Sequence, residues 1–420
     1  MKIADAFCVP VTSGFFRDDR QAIRHGARHD GFLYVGEPAT DGFRAIREAG
    51  MAMSVVLVLD DGQVAVGDCA EVQYAGAGGR AGLLSQEETQ SLLEKSVFPE
   101  LVGQDVDSFR SLATHVDTLV VDGERLPVPL RYGVTQAILD GAAQAASSTM
   151  AEVVRHEYGI ARPIAPVPIF AQTGDDRYLN VDKMVLKEID ALPHGLINEV
   201  DSKLGRDGEI LLDYVRWLVA RIEGLRPRPD YRPRIHLDTY GTIGLAFGGD
   251  VERVADYLAR LSEVAKGYSL WVEHPIDAGG RDAQVATYVA LRDALRLKGC
   301  ALGIVVDEWC NTLEDIEVFT RAGAADVIHV KTPDLGGVNN TIDALLMVKE
   351  RGFQSYCGGT CNETEVSARV TTQIAMACGA DQMLAKPGMG VDEGIMIVRN
   401  EMARTLVLVE RGAHRRGQRA

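Results

Sequence analysis

The chain has 420 residues, 46% hydrophobic and 25% charged, close to an average globular protein and unlike a disordered chain or a membrane channel. Sixty acidic against 44 basic side chains leave a net charge of −16, which would repel nucleic-acid phosphates and anionic lipid. Seven scattered cysteines without a CxxC pair, no basic-then-apolar leader, and no apolar run near the ~20 residues of a bilayer span predict a cytoplasmic protein with no membrane partner.

In chain order, residues 1–162 read as an α+β domain. Short apolar runs at 32–35 and 54–59 come first, and helical stretches over 86–97 and 133–158 follow. The glycine cluster at 76–79 lacks the Lys-Ser/Thr of a phosphate loop and reads as a mobile flap. Pro163, Pro166 and Pro168 cannot continue a helix, so the domain boundary is placed after residue 162.

From 163 to 411 one unit recurs, a short apolar strand followed by an amphipathic helix. The strands are expected at 168–172, 194–200, 234–238, 270–273, 303–307, 327–331, 354–357 and 382–385. Between the third and fourth, Val251, Val254, Ala255, Leu258, Leu261 and Val264 recur at three- and four-residue steps, a stripe suited to packing on a sheet. Such a repeat predicts a (β/α)8 TIM-type barrel capped by the N-terminal domain. An open doubly wound sheet is the runner-up, but it usually has fewer strands and a GxGxxG turn that this chain lacks. Residues 412–420, with Arg415, Arg416 and Arg419, are expected to form a flexible basic tail.

A barrel of this kind builds its active site at the C-terminal strand ends. Three consecutive strands end in Asp238, Glu273 and Asp307, each about 35 residues, or one βα unit, from the next. Converging carboxylates need a cation, and oxygen ligation favours Mg²⁺ or Mn²⁺ over Zn²⁺. The next strand ends in Lys331, with His329 two residues earlier on the same face. A lysine partly desolvated beside a cation is expected to have a lowered pKa and to serve as a general base. His194, at the start of the second strand, is a candidate acid or base on the other side. A Lys or His base beside Mg²⁺ is the arrangement of the enolase superfamily, suited to removing a proton next to a carboxylate.

The segments Gln172-Thr173-Gly174-Asp175-Asp176-Arg177-Tyr178, Leu192-Pro193-His194, His236-Leu237-Asp238-Thr239-Tyr240-Gly241 and Lys331-Thr332-Pro333-Asp334-Leu335-Gly336-Gly337-Val338-Asn339-Asn340 resemble, in order and spacing, the motifs of the methylaspartate ammonia-lyase family. Gln73-Tyr74-Ala75-Gly76-Ala77-Gly78-Gly79-Arg80 extends the resemblance more loosely into the first domain. The resemblance implies reversible elimination of ammonia from (2S,3S)-3-methylaspartate to give mesaconate, in a Mg²⁺-dependent, K⁺-stimulated cytoplasmic homodimer in which Mn²⁺ could replace Mg²⁺. It assigns Asp238, Glu273 and Asp307 to the metal, Lys331 to the C3 proton, and His194 to the opposite face for the other C3 epimer. Gln172, Thr360, the backbone of Cys361 and Gln73 would bind the substrate's polar groups, and Phe170, Tyr356 and Leu384 would surround its methyl group.

Position 329 departs from the resemblance, because a glutamine is expected there and this chain has His329. A histidine can still donate to substrate, but a protonated one would depress the Lys331 pKa further, changing substrate preference and pH optimum. Ala81, after Gly79-Arg80, is a milder departure. The nearest alternative is another enolase-superfamily reaction, such as a racemase, cycloisomerase or dehydratase, although the second strand carries His194-Gly195-Leu196 where many of those have Lys-x-Lys; a second is a non-catalytic binding protein that has kept the barrel, against which the intact Asp238, Glu273, Asp307 and Lys331 argue.

Overall fold

The computed structural model describes residues 1–74, 76, 78–80 and 82–417. The expected flap at 76–79 therefore has Ala77 outside the described residues, and the departure at Ala81 lies outside them too.

In the N-terminal part, a long strand Ile3–Asp18 pairs antiparallel with Arg47–Leu59, which in turn pairs with Val64–Cys69. The middle strand buries Met53, Val55, Leu57 and Leu59 beneath the helix Val128–Ala145. Sheet and helix touch through glycines: a Cβ on Gly67 would lie 2.2 Å from the Gly133 carbonyl oxygen, and one on Gly133 2.4 Å from the Cys69 nitrogen. Only a residue without a side chain allows that approach. The stretch expected as one helix over 133–158 is two, Val128–Ala145 and Met150–Glu157. Ser147 takes a φ of 48°, and Thr149 opens the second helix with a reciprocal capping box to Glu152.

Eight parallel strands close the barrel in chain order, the last pairing with the first. They are Ile169–Phe170, Ala191–His194, Arg234–Asp238, Leu270–Glu273, Gly303–Val306, Val327–Val330, Gln354–Cys357 and Gln382–Leu384. The second lies earlier than the 194–200 expected, because His194, Gly195 and Leu196 all take positive φ and turn the chain out of the sheet. His194 therefore ends its strand at the barrel mouth. The helix Val251–Val264 starts at an Asp250 cap and buries Val254, Ala255, Leu258 and Leu261, about 1.5–3 kcal/mol for each large apolar side chain taken out of water. The last helix, Val391–Gly417, runs through the segment expected as a flexible tail from 412, leaving only 418–420 outside the described residues.

The two parts are joined by a buried polar seam. Tyr132, on the helix Val128–Ala145, donates its hydroxyl to Glu363 Oε1 at 2.5 Å. Lys386 donates to the same carboxylate at 2.8 Å, to Thr332 Oγ1 at 2.9 Å and to the Gly358 carbonyl at 2.8 Å. All four side chains are fully buried, so each polar atom depends on these partners rather than on water.

Candidate active site

At the C-terminal mouth of the barrel, under the N-terminal part, lies a cavity with about 530 Å³ of unfilled space including its opening. Every site residue expected from the sequence lines it except Phe170. Phe170 lies one layer deeper, fully buried in a barrel-interior cluster with Tyr356 and Leu384 and stacked on His236 at 4.1 Å. Two-residue alternation places Phe170 and Gln172 on one face, but that face descends into the barrel, and only its upper end meets the cavity.

The acids occupy the mouth as their spacing predicts, and each has its own cationic or imidazole neighbour. Asp238 faces His194 Nε2 at 3.3 Å. Burial, with the charge of Glu273 next, pushes its carboxyl up to about 6, the mark of negative charge short of compensation. Glu273 lies between His236, whose Nε2 is 2.9 Å from Oε2, and His329, whose Nδ1 is 2.6 Å from Oε1. Burial alone would raise the Glu273 carboxyl, yet His329 and His236 hold it well below the ordinary range. Asp307 takes both bonds from Lys331 Nζ, at 2.7 and 3.0 Å, and one from Arg80 at 3.1 Å. These charges overcome burial and keep it ionised far below the usual carboxylate pKa.

In the metal-free chain, burial and the Arg80 charge push the Lys331 ammonium down, but Asp307, Asp334 and Glu308 outweigh them and its pKa is raised. The lowering expected from the sequence belongs to the lysine beside a bound cation. His329 lines the cavity as expected, its ring directed at Glu273 and 3.4 Å from Asp307. Its Nε2 receives the Gly359 backbone N–H at 3.2 Å.

The cavity fits a divalent cation by the chemistry of its donors. Ligand atoms of Glu273, Asp307 and His329 lie within 4.8 Å of one another, the only such group among the described residues. Asp238 stands outside that group, turned to His194, on the neighbouring strand end. A mouth so rich in buried carboxylate oxygen suits a hard ion.

The opposite side is built by the loop after Val64–Cys69. Gln73 donates its backbone N–H to Thr360 Oγ1 at 3.2 Å and receives the Cys361 thiol on Oε1 at 3.3 Å. Arg80 bonds Asp334 at 2.7 Å as well as Asp307. Gln172 is buried with its Nε2 lacking any partner among the described residues, a donor available to a ligand. Tyr356 packs against His329 at 4.3 Å, and Leu384 supplies apolar wall. Sequence reasoning gave no role to His236, Arg80 or Glu308. Glu308 directly follows Asp307, and Arg80 lies in a glycine-rich segment singled out for other reasons, so both were within reach; His236 opened one of the segments that carry the resemblance but was given no role of its own.

A closed eight-stranded barrel under an α+β cap, with acids at successive strand ends and a lysine after the next strand, defines an enzyme of the enolase type. The family models for the N-terminus and C-terminus of methylaspartate ammonia-lyase match residues 1–159 and 162–411. The methylaspartate ammonia-lyase of Clostridium tetanomorphum is 53% identical over 98% of this chain and all of its own. A magnesium-complex crystal structure of the enzyme from that organism superposes with a TM-score of 0.93 over 98% of this chain and 100% of its own. The Citrobacter amalonaticus enzyme containing (2S,3S)-3-methylaspartic acid is 49% identical, with a TM-score of 0.96 over 98% of this chain and 100% of its own. A muconate lactonizing enzyme from Pseudomonas fluorescens, 16% identical with a TM-score of 0.60 over 91% of this chain and 87% of its own, shares the fold alone. The chain belongs to the methylaspartate ammonia-lyase family.

Proposed function

We propose that this enzyme eliminates ammonia from (2S,3S)-3-methylaspartate to give mesaconate. The observation that carries the reading is the placement of Lys331 and His194 in one cavity with Asp238, Glu273 and Asp307, on a chain so similar to the family's enzymes.

Lys331, as the free amine, takes the proton from C3; the C–H electron pair forms the C2=C3 bond, the C2–N bond breaks, and ammonia leaves. The amine becomes available when Asp307 no longer faces the lysine alone, since that contact is what holds the proton on Nζ. His194 stands ready for the epimer whose C3 proton lies on the other face. Asp238, Glu273 and Asp307 would hold a divalent ion, which would supply positive charge to offset the negative charge gathering on the substrate. Gln172 offers its free amide N–H, and Thr360, the Cys361 backbone and Gln73 hold the remaining polar groups. His329 holds Glu273 and the Gly359 backbone, leaving it less free than a glutamine to reach substrate. Tyr356 and Leu384 border the methyl group, with Phe170 supporting them from below. Mg²⁺ is the cation, Mn²⁺ a substitute and K⁺ an activator; the enzyme works as a cytoplasmic homodimer. Family membership supports these assignments, and no described helix is long and apolar enough to cross a membrane.

The test is absorbance of the conjugated product after 3-methylaspartate is added to purified protein, with and without Mg²⁺. A metal-dependent rise is expected. No rise, together with metal-dependent exchange of an α-proton in other amino or hydroxy acids, would overturn the substrate and favour a different enolase-type reaction.

A further inference from the structure

We propose that a one-way hydrogen-bond chain through the barrel interior, from Arg234 through Gln382 and His236 to Glu273, makes His236 a positioning residue for the metal-binding carboxylate. The inference rests on the reading of Glu273 as a metal ligand.

The chain starts at the far end of the third barrel strand from Asp238, about 13 Å away along the strand. There the Arg234 guanidinium lies over the Trp271 ring, 3.6 Å from its centroid, and donates through Nη1 to Gln382 Oε1 at 3.2 Å. A guanidinium has no acceptor, so the Gln382 carbonyl oxygen must be the atom that faces it. The Gln382 amide nitrogen is then turned toward His236 Nδ1, at 2.8 Å. Facing a donor, Nδ1 carries the lone pair and the single ring proton sits on Nε2. That Nε2–H points at Glu273 Oε2, 2.9 Å away. The direction of every bond follows from the one residue that can only donate.

Among the described residues, Gln382 and Glu273 are the hydrogen-bond partners of this imidazole. His236 and Gln382 are fully buried, and the His236 ring lies flat on Phe170 at 4.1 Å and 5° between planes, with Trp271 and Tyr356 edge-on. Flipping the ring by half a turn would keep the stack but leave the Gln382 amide and Glu273 Oε2 without their imidazole partner. Glu273 consequently has Oε2 fixed from the barrel interior and Oε1 from His329, so its carboxylate is oriented before a cation arrives. Outer partners of this kind set ligand orientation in metal sites, and their loss typically weakens metal binding by about 10–100-fold.

The experiment is calorimetric titration of the full-length chain with Mg²⁺ alone, joined to tautomer-sensitive ¹H–¹⁵N spectra of histidine-labelled protein. His236→Leu should weaken Mg²⁺ binding about 10–100-fold, and His236→Gln, whose amide N–H stands in for Nε2–H, should restore most of it. A role limited to packing would be served equally by leucine and glutamine. Gln382→Met, which removes the directing amide, should weaken binding less and lower the Nε2–H tautomer population of His236. Parent-like Mg²⁺ affinity in folded His236→Leu, or an Nδ1–H tautomer at His236 in the parent, overturns the proposal. If His236→Leu does not fold, Gln382→Met and the parent spectrum decide. A parent chain that binds no Mg²⁺ removes the metal reading and this inference together, whereas a chain inactive on methylaspartate removes only the substrate.

Discussion

On the barrel side of the cavity, Asp238, Glu273, Asp307 and Lys331 come from four successive strand ends; on the other side, Gln73, Tyr74 and Arg80 come from a single loop of the N-terminal part. Barrel residues are held by parallel register and by buried partners, as Glu273 is by two imidazoles. The loop residues reach the site through side-chain and backbone bonds across the domain seam, such as Arg80 to Asp334 and Gln73 to Thr360. The difference separates two tasks: the strand ends fix the reacting charges, and the loop closes over them.

The largest effect should come from the rigid side. Lys331→Ala is expected to lower turnover of the (2S,3S) isomer by about 10²–10⁴-fold while Mg²⁺ binding, measured by calorimetry, persists. Normal activity in that variant would remove the lysine as base and break the division of tasks.

A smaller effect tests the acids. The Asp238 carboxyl titrates at about 6 in the fold against about 3.9 for an unperturbed aspartate. Because its folded pKa is raised, the folded metal-free chain binds the extra proton between those values, and this group adds stability as pH falls from 6 toward 4. A cation needs the ionised form, so Mg²⁺ affinity should fall below pH 6, approaching tenfold per unit from this group, while the metal-free melting temperature gains from it. Affinity flat from pH 7 to 5 would take Asp238 out of the metal site.

The smallest effect belongs to the loop. Arg80→Ala should raise KM roughly fivefold, about 1 kcal/mol for the two lost bonds to Asp334 and Asp307, with kcat changed less. A fall in kcat matching Lys331→Ala would put Arg80 among the reacting groups and erase the contrast.

Strand order and the carboxylate spacing were legible because a (β/α)8 repeat puts one strand end at the mouth per unit, and Asp238, Glu273, Asp307 and Lys331 follow from that period. Depth along the barrel axis was not. Phe170 and Gln172 share a face, yet only Gln172 reaches the cavity, because periodicity gives direction and not height. Electrostatic neighbours far apart in sequence were equally hidden. The raised Lys331 pKa comes from pairing with Asp307 across two strands, and Arg80 meets Asp334 from the other domain. His194 was placed at the start of its strand and ends it instead, since the turn that ends the strand needs three successive positive-φ residues, and only Gly195 announces one.

The Tyr132, Glu363 and Lys386 seam restricts how the enzyme can breathe. Swinging the N-terminal part away from the barrel would strip the Tyr132 hydroxyl from Glu363 and let water into a buried ion pair on which the Thr360 backbone N–H also depends. Breaking such a pair is costly. Gly14 adds to the constraint, its backbone N–H bonded to the Glu363 carbonyl and its missing side chain leaving room for Pro387. The body of the cap and the barrel are therefore bolted together at this seam, and the wall it forms over the cavity holds its place.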